Sequence, residues 1–226
     1  MKIIAFGDIH GCPKATETAI KLSEEINATA VFLGDYVDRG PDSLKVLKLL
    51  IDAKRKHSNW RFLRGNHDQM LLDLINGKAL PEDDLIINLP TGEIGSSYRQ
   101  TKDTYLKWLN STSEFKKEVV KFLKNTEFYI EINQWIFVHA ILNDSSIALT
   151  NKSSDEFIWN YQTDPIWEGK RFIHGHYTTD EAAYNNQGIN INTKCGYGGK
   201  LTGLLVDATN GNILQDYSIS EEGILL

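Results

Sequence analysis

The chain has 226 residues, 41% of them hydrophobic and 24% charged, a composition that suits one fairly large folded domain and argues against disorder. A net charge of −6 and a sequence pI near 5.5 exclude the broad basic footprint of a dedicated nucleic-acid binder. The two cysteines, Cys12 and Cys195, lie far apart and make neither a disulfide framework nor a thiol cluster for structural zinc.

Ile3-Ile4-Ala5-Phe6 is an apolar run of strand character that opens into Gly7-Asp8-Ile9-His10-Gly11. The run is too short for a signal peptide and no stretch reaches transmembrane length, so a cytoplasmic protein without a membrane partner is expected. Pro13 then opens a predicted helix to about Asn27, with Ala15, Ala19, Leu22 and Ile26 at helical spacing. Ala30-Val31-Phe32-Leu33 repeats the strand signal and ends in Gly34-Asp35-Tyr36-Val37-Asp38-Arg39-Gly40. Pro41 is expected to open the next helix, with Leu44, Leu47, Leu50 and Ile51 on one side. Trp60-Arg61-Phe62-Leu63 is the third strand, followed by Gly65-Asn66-His67-Asp68 and a short helix through Met70, Leu71, Leu72, Leu74 and Ile75. This β-α series predicts a largely parallel sheet.

Residues 77–126 break the rhythm. Lys78 to Glu93 is loop-like, with Pro81, Pro90 and Gly92, and two helices are predicted near 97–110 and 112–124. Ser111 with Glu114 resembles a capping box for the second. This helical insertion is a natural place for substrate selection. Beyond residue 128 strands dominate, at 129–132 and 135–138 around an Asn133-Gln134 turn. Others are predicted at 171–174, 189–193, 201–207 and 213–218, with Thr209-Asn210-Gly211-Asn212 turning between the last two. The expected fold is a single α/β domain over residues 1–226, a four-layer α-β-β-α sandwich of two mixed sheets with a helical insertion.

The polar blocks therefore collect at the carboxyl ends of strands, where open α/β sheets place their sites. Of six histidines, only His57, in Lys54-Arg55-Lys56-His57, lies outside a strand end; His10, His67, His139, His174 and His176 all lie at one. In extended backbone, residues i and i+2 share a side, so Asp8 and His10 can hold one metal together. Asp35 can bridge two ions with its two oxygens, while Asn66, His139 and His176 complete the second. Such oxygen and nitrogen donors suit divalent metals, whose charge would attract an anionic substrate that the bulk charge does not. The simpler readings are a structural Asp38–Arg39 ion pair, a loop-bracing Arg64 and a core His174. Cys12, Cys195, Trp60, Trp108, Trp135, Trp159 and Trp167 read as core residues.

Gly-Asp-Ile-His-Gly at 7–11, Gly-Asp-Tyr-Val-Asp-Arg-Gly at 34–40 and Arg-Gly-Asn-His-Asp at 64–68, followed by His139 and Gly175-His176, resemble the calcineurin-like metallophosphoesterase superfamily. The nearest pattern is the phosphoprotein phosphatase (serine/threonine phosphatase) branch in its bacterial and phage form. The stretch from Asn192 to Thr202 resembles a segment of the same bacterial group, which also contains the symmetrical diadenosine tetraphosphatases. The match runs from residue 7 to about 202, with none of it in 77–126. It implies two divalent metals, manganese first and iron, zinc, nickel or cobalt as alternatives. They would hold a phosphate and make hydroxide available for in-line attack at phosphorus. It further implies His67 as general acid, Asp38 as the carboxylate that orients it, and Arg39 and Arg64 as grips on phosphate oxygens.

Two positions depart from that pattern. Asp68 stands where the branch usually has Glu, and Tyr161, in Phe157-Ile158-Trp159-Asn160-Tyr161, stands where bacterial relatives carry the arginine of Trp-x-Arg. Arg171 is the nearby candidate to replace that arginine. The resemblance thus implies a phosphatase acting on phosphoprotein or on a small phosphoester. The alternative is a phosphoanhydride hydrolase like a symmetrical bis(5′-nucleosyl)-tetraphosphatase. The least favoured reading is a metal-binding regulatory module without turnover.

Overall fold

The computed structural model describes residues 1–79, 96–142, 148–161, 169–185 and 188–226. Its strands are β1 (Lys2–Phe6), β2 (Thr29–Phe32), β3 (Arg61–Phe62), β4 (Tyr129–Ile132), β5 (Trp135–Val138), β6 (Arg171–His174), β7 (Ala183–Tyr184), β8 (Gly188–Asn190), β9 (Lys200–Asp207) and β10 (Ile213–Ser220). They form two mixed sheets, ordered β10-β9-β1-β2-β3 and β4-β5-β6-β8-β7. Strands β1, β2 and β3 run parallel, as do β5, β6 and β8. The outer strands β9, β10, β4 and β7 are antiparallel to their neighbours.

Period-2 alternation builds the layers. Ile4 and Phe6 of β1 join one core with α1 (Pro13–Glu25) and α2 (Ser43–Lys56), through Ala15, Ala19, Val46 and Leu50. Ile3 and Ala5 join Val31, Trp135, Phe137 and Ile173 in a second core between the sheets. Ile136, Val138 and Phe172 face outward onto Phe157 and Ile158 of α6 (Ser154–Trp159). This is the predicted α-β-β-α sandwich. Phe6, Phe32 and Phe62 are register neighbours in β1, β2 and β3, and their rings stack at centroid separations of 5.2 Å in both steps.

The remaining helices are α3 (Asn66–Ile75), α4 (Ser96–Leu109) and α5 (Ser113–Lys124). Trp108 of α4 and Val119, Phe122 and Leu123 of α5 belong to the same core as α1 and α2. These helices of the 77–126 segment therefore complete the outer layer. The predicted loop features Pro81, Pro90 and Gly92 lie outside the described residues, as does Trp167. Trp60, Trp108 and Trp135 are buried, as expected, and both cysteines are buried free thiols. Among the described residues no helix is long and apolar enough to cross a membrane.

Several predicted boundaries shift, each for a local reason. Helix α2 begins at Ser43, two residues past the start expected from Pro41, because the Asp42 carboxylate forms the cap by accepting from Lys45 N at 2.9 Å. The Ser111 capping box does not form. Thr112 is the N-cap, accepting from Phe115 N at 3.3 Å, while Ser111 Oγ donates to Trp108 O at 2.7 Å and closes α4. The expected strand at 189–193 ends earlier, at Asn190, and β7 pairs beside it without having been predicted.

Candidate metal centre

Both sheets aim carboxyl ends at one place. Asp8 and His10 follow β1, Asp35 follows β2, Asn66 opens α3, His139 follows β5 and His176 follows β6. Asp8, His10, Asp35, Asn66 and His139 are all buried. The approach is not the extended alternation expected of Asp8 and His10. His10, Asp35, Asp38, Arg39 and His176 have φ of 42°, 50°, 71°, 69° and 65°, the left-handed region that non-glycine residues avoid. Each costs about 1–3 kcal/mol, so the surrounding fold must hold it. Two glycines allow the close approach. A Cβ at Gly175 would lie 2.0 Å from Asp8 Oδ1, and one at Gly65 would lie 2.1 Å from Asp35 Oδ1.

The tautomers set the chemistry. His10 Nδ1 donates to Val37 O at 3.0 Å, which leaves Nε2 as a lone pair 3.9 Å from Asp8 Oδ2 and 3.7 Å from Asp35 Oδ2. His139 Nδ1 donates to Leu33 O at 3.0 Å, leaving Nε2 3.1 Å from Asn66 Oδ1 and 3.5 Å from Asp35 Oδ2. Burial pushes His10 down to about 3 and also lowers His139, so both rings are neutral near pH 7. Lone pairs facing carboxylate and amide oxygens at these distances repel one another unless a cation lies between them. His176 brings Nδ1 to 3.1 Å from Asn66 Oδ1, and its buried Nε2 has no partner among the described residues. The donor set fits divalent cations.

Two groups of donor atoms, His10 with Asp35 and His67, and Asp35 with His139 and His176, each lie within 4.8 Å and share Asp35. Asp8 stands beside the first group. Asn192 Nδ2 donates to its Oδ2 at 2.6 Å and His176 N at 3.2 Å. Burial, then the Asp35 charge, pushes the Asp8 carboxyl well up. Burial also opposes ionisation of Asp35, but the His139, His67 and His10 rings outweigh it and hold that carboxyl below its usual range. His67 N, at the amino end of α3, donates to Asp35 Oδ1 at 2.9 Å.

His67 Nδ1 meets Asp38 Oδ2 at 2.7 Å. Thr104 Oγ1 donates to Asp38 Oδ1 at 2.7 Å, Thr101 Oγ1 donates to Oδ2, and Ser43 Oγ accepts from Asp38 N at 2.8 Å. Burial lowers the His67 pKa, but the carboxylates of Asp35 and Asp38 prevail and raise it. Arg39 Nη2 lies 3.5 Å from His67 Nε2, and its guanidinium covers the Tyr197 ring at 4.4 Å. Arg64 faces away: Nη1 donates to Gln69 Oε1 at 2.6 Å, Nε to Thr126 Oγ1 and Nη2 to Leu123 O. Asp68 braces the second block, accepting from Tyr36 N and Gly65 N at 3.0 Å each. Burial, then Asp35, pushes its carboxyl up to about 8. The thiols of Cys12 and Cys195 lie against the His10 and Ile9 carbonyls at 3.5 and 3.3 Å.

Tyr161 places its ring 4.4 Å from that of His176. Arg171 does not take the missing arginine's place. It begins β6, at the opposite end from His174, donates to Gly211 O at 2.9 Å and covers the Trp135 ring at 4.5 Å. Asn192, Thr101, Thr104 and Tyr197 were not singled out from the sequence. Asn192 opens the 192–202 stretch, and the two threonines sit three apart on a predicted helix; those were the available signals.

The model of the calcineurin-like phosphoesterase family matches residues 1–205. An asymmetrical bis(5′-nucleosyl)-tetraphosphatase of Oceanobacillus iheyensis is 26% identical over 230 residues, covering 89% of this chain and 87% of its own length. A symmetrical bis(5′-nucleosyl)-tetraphosphatase of Buchnera aphidicola is 39% identical over 80 residues, 34% of this chain and 28% of its own. A crystal structure of a candidate diadenosine tetraphosphatase superposes with a TM-score of 0.64 at 21% identity, over 96% of this chain and 93% of that one.

Proposed function

Because the chain belongs to the calcineurin-like phosphoesterase family and is a hydrolase of phosphoester or phosphoanhydride bonds, we propose that its substrate is a dinucleoside tetraphosphate cleaved at a phosphoanhydride. The observation that carries this reading is Tyr161, an exposed aromatic ring against His176 where the sequence pattern leads one to expect a phosphate-gripping arginine. An aromatic face binds a nucleobase by stacking and offers little to a phosphoserine. The Oceanobacillus relative, named for such a substrate, supports the reading along most of the chain.

In this proposal Asp8, His10, Asp35, Asn66, His139 and His176 hold two divalent cations, manganese the first candidate, in a cytoplasmic enzyme that works as one domain. When bound, the cations supply positive charge to the phosphate oxygens and lower the pKa of water. The other tasks fall to side chains. Asp38, fixed by Thr101 and Thr104, holds His67 by Nδ1 and leaves Nε2, beside Arg39 Nη2, as the ring's other titrating position. The carboxylates of Asp35 and Asp38 raise the His67 pKa and so favour the protonated ring, which gives its Nε2 proton to the departing phosphate oxygen. Arg39, next to His67 Nε2, grips a non-bridging phosphate oxygen. Arg64 orders the loop before α3.

The test is turnover of diadenosine tetraphosphate against a phosphoserine peptide, with manganese present, followed by separation of the nucleotide products. The proposal expects a specificity constant at least 100-fold higher for the dinucleotide. AMP with ATP marks asymmetrical cleavage and two ADP symmetrical cleavage. Preference for the peptide would instead establish the protein phosphatase reading.

A further inference from the structure

A partly open cleft of about 80 Å³ next to the metal centre is lined by Ile141, Asn160, Tyr161, His174, Gly175 and Asn190, among others. Its notable side chain is His174, the one strand-end histidine that the hydrolytic machinery above does not use. His174 is 4% exposed, and its buried Nε2 has no hydrogen-bond partner among the described residues. Nδ1 donates to Gly175 O at 3.1 Å, which leaves Nε2 as an acceptor. A buried acceptor without a partner costs stability, of a kind that a ligand's donor can recover. The polar neighbour Asn190 is already satisfied, donating to Tyr177 O at 2.6 Å and accepting from Asn192 N at 2.9 Å.

Tyr161 connects the two places. It lines the cleft, its ring lies 4.4 Å from the His176 ring, and the residue is 48% exposed. We infer that this cleft is a nucleoside subsite: the ring of Tyr161 stacks on the base, and His174 Nε2 accepts a hydrogen bond from an exocyclic amine or a ribose hydroxyl. The inference rests on the proposed dinucleotide substrate and names where one nucleoside half of it sits. His174 and Tyr161 are thus specificity-determining residues, with no part in the bond cleavage itself.

The experiment compares His174→Leu, His174→Gln and Tyr161→Ala on diadenosine tetraphosphate and on p-nitrophenyl phosphate, which has no nucleoside. His174→Leu and Tyr161→Ala should each raise KM for the dinucleotide at least tenfold, and His174→Leu should keep kcat/KM for p-nitrophenyl phosphate within twofold of the unmodified enzyme. His174→Gln, which keeps an acceptor, should recover most of the dinucleotide KM. Equal losses on both substrates would mean that His174 only supports His176, and no loss on either would mean an unused cleft. Both outcomes overturn the inference. Adenosine alone separates this subsite from the proposed reaction. It should shift the His174 Cε1–H resonance even in protein that fails to cleave the dinucleotide, and no shift at millimolar adenosine overturns the subsite. Purine riboside, which lacks the 6-amine, then tells base amine from ribose hydroxyl as the donor.

Discussion

Asp38 and His67 meet at 2.7 Å, Oδ2 to Nδ1, with both side chains buried at the edge of the donor cluster. Because Nδ1 is committed to Asp38, only Nε2 of His67 is left to act as a proton donor or as a metal ligand. The proposed mechanism chooses the first. His67→Asn should lower kcat by ~10²–10⁴-fold, the usual contribution of a positioned acid, while bound metal per protein stays unchanged. Metal analysis of the purified variant checks this, and loss of half the metal would reassign His67 as a ligand.

Asp35 is shared by both donor groups, so Asp35→Asn should abolish metal binding along with activity. Removing metal from the unmodified protein with a chelator should lower its melting temperature, because facing lone pairs then repel. Saturation at ~1,000 times the dissociation constant stabilises a fold by about 4 kcal/mol. Calorimetry with and without chelator measures the difference. Asp35→Asn should show almost none.

Gly175→Ala tests the packing behind Asp8. The added methyl would fall 2.0 Å from Asp8 Oδ1, so the carboxylate must move. The variant should fold, with circular dichroism unchanged, yet bind metal at least tenfold more weakly in a titration.

Arg39 and Arg64 should separate cleanly. Arg64→Met removes donors to Thr126, Gln69 and Leu123 O and should cost about 1.5–3 kcal/mol in urea unfolding, the scale of a hydrogen bond to a charged group. Its KM should not change. Arg39→Met should raise KM for phosphate substrates severalfold and leave the unfolding midpoint nearly unmoved.

The strand ends carried most of this centre openly, because a Gly-Asp or Gly-Asn block after an apolar run has few other uses at a buried sheet end. All six expected donors do converge. The reason for the Asp8–His10 pairing was not visible: His10 reaches the centre through a left-handed φ of 42°, a turn that tertiary contacts impose. Arg64 shows a second limit. Its motif position says nothing of which way the guanidinium points, and here Thr126 and Leu123, some sixty residues on, decide that. The cap of α5 failed at shorter range. Ser111 and Thr112 are both good caps, and the choice fell to Thr112 because Trp108 O engages Ser111 Oγ. The two-sheet fold, in contrast, follows from unbroken apolar runs in β1, β2 and β5, patterns that lie within single strands.

Thr101 and Thr104 reach the two oxygens of one carboxylate from successive turns of α4. A helix advances about 100° per residue, so adding or deleting one amino acid between them would swing one hydroxyl off Asp38. The rotational phase of α4 is thereby locked to the carboxylate that orients His67 in the proposed reaction. Length changes ahead of Thr101 leave that phase free to reset; between Thr101 and Thr104 they do not.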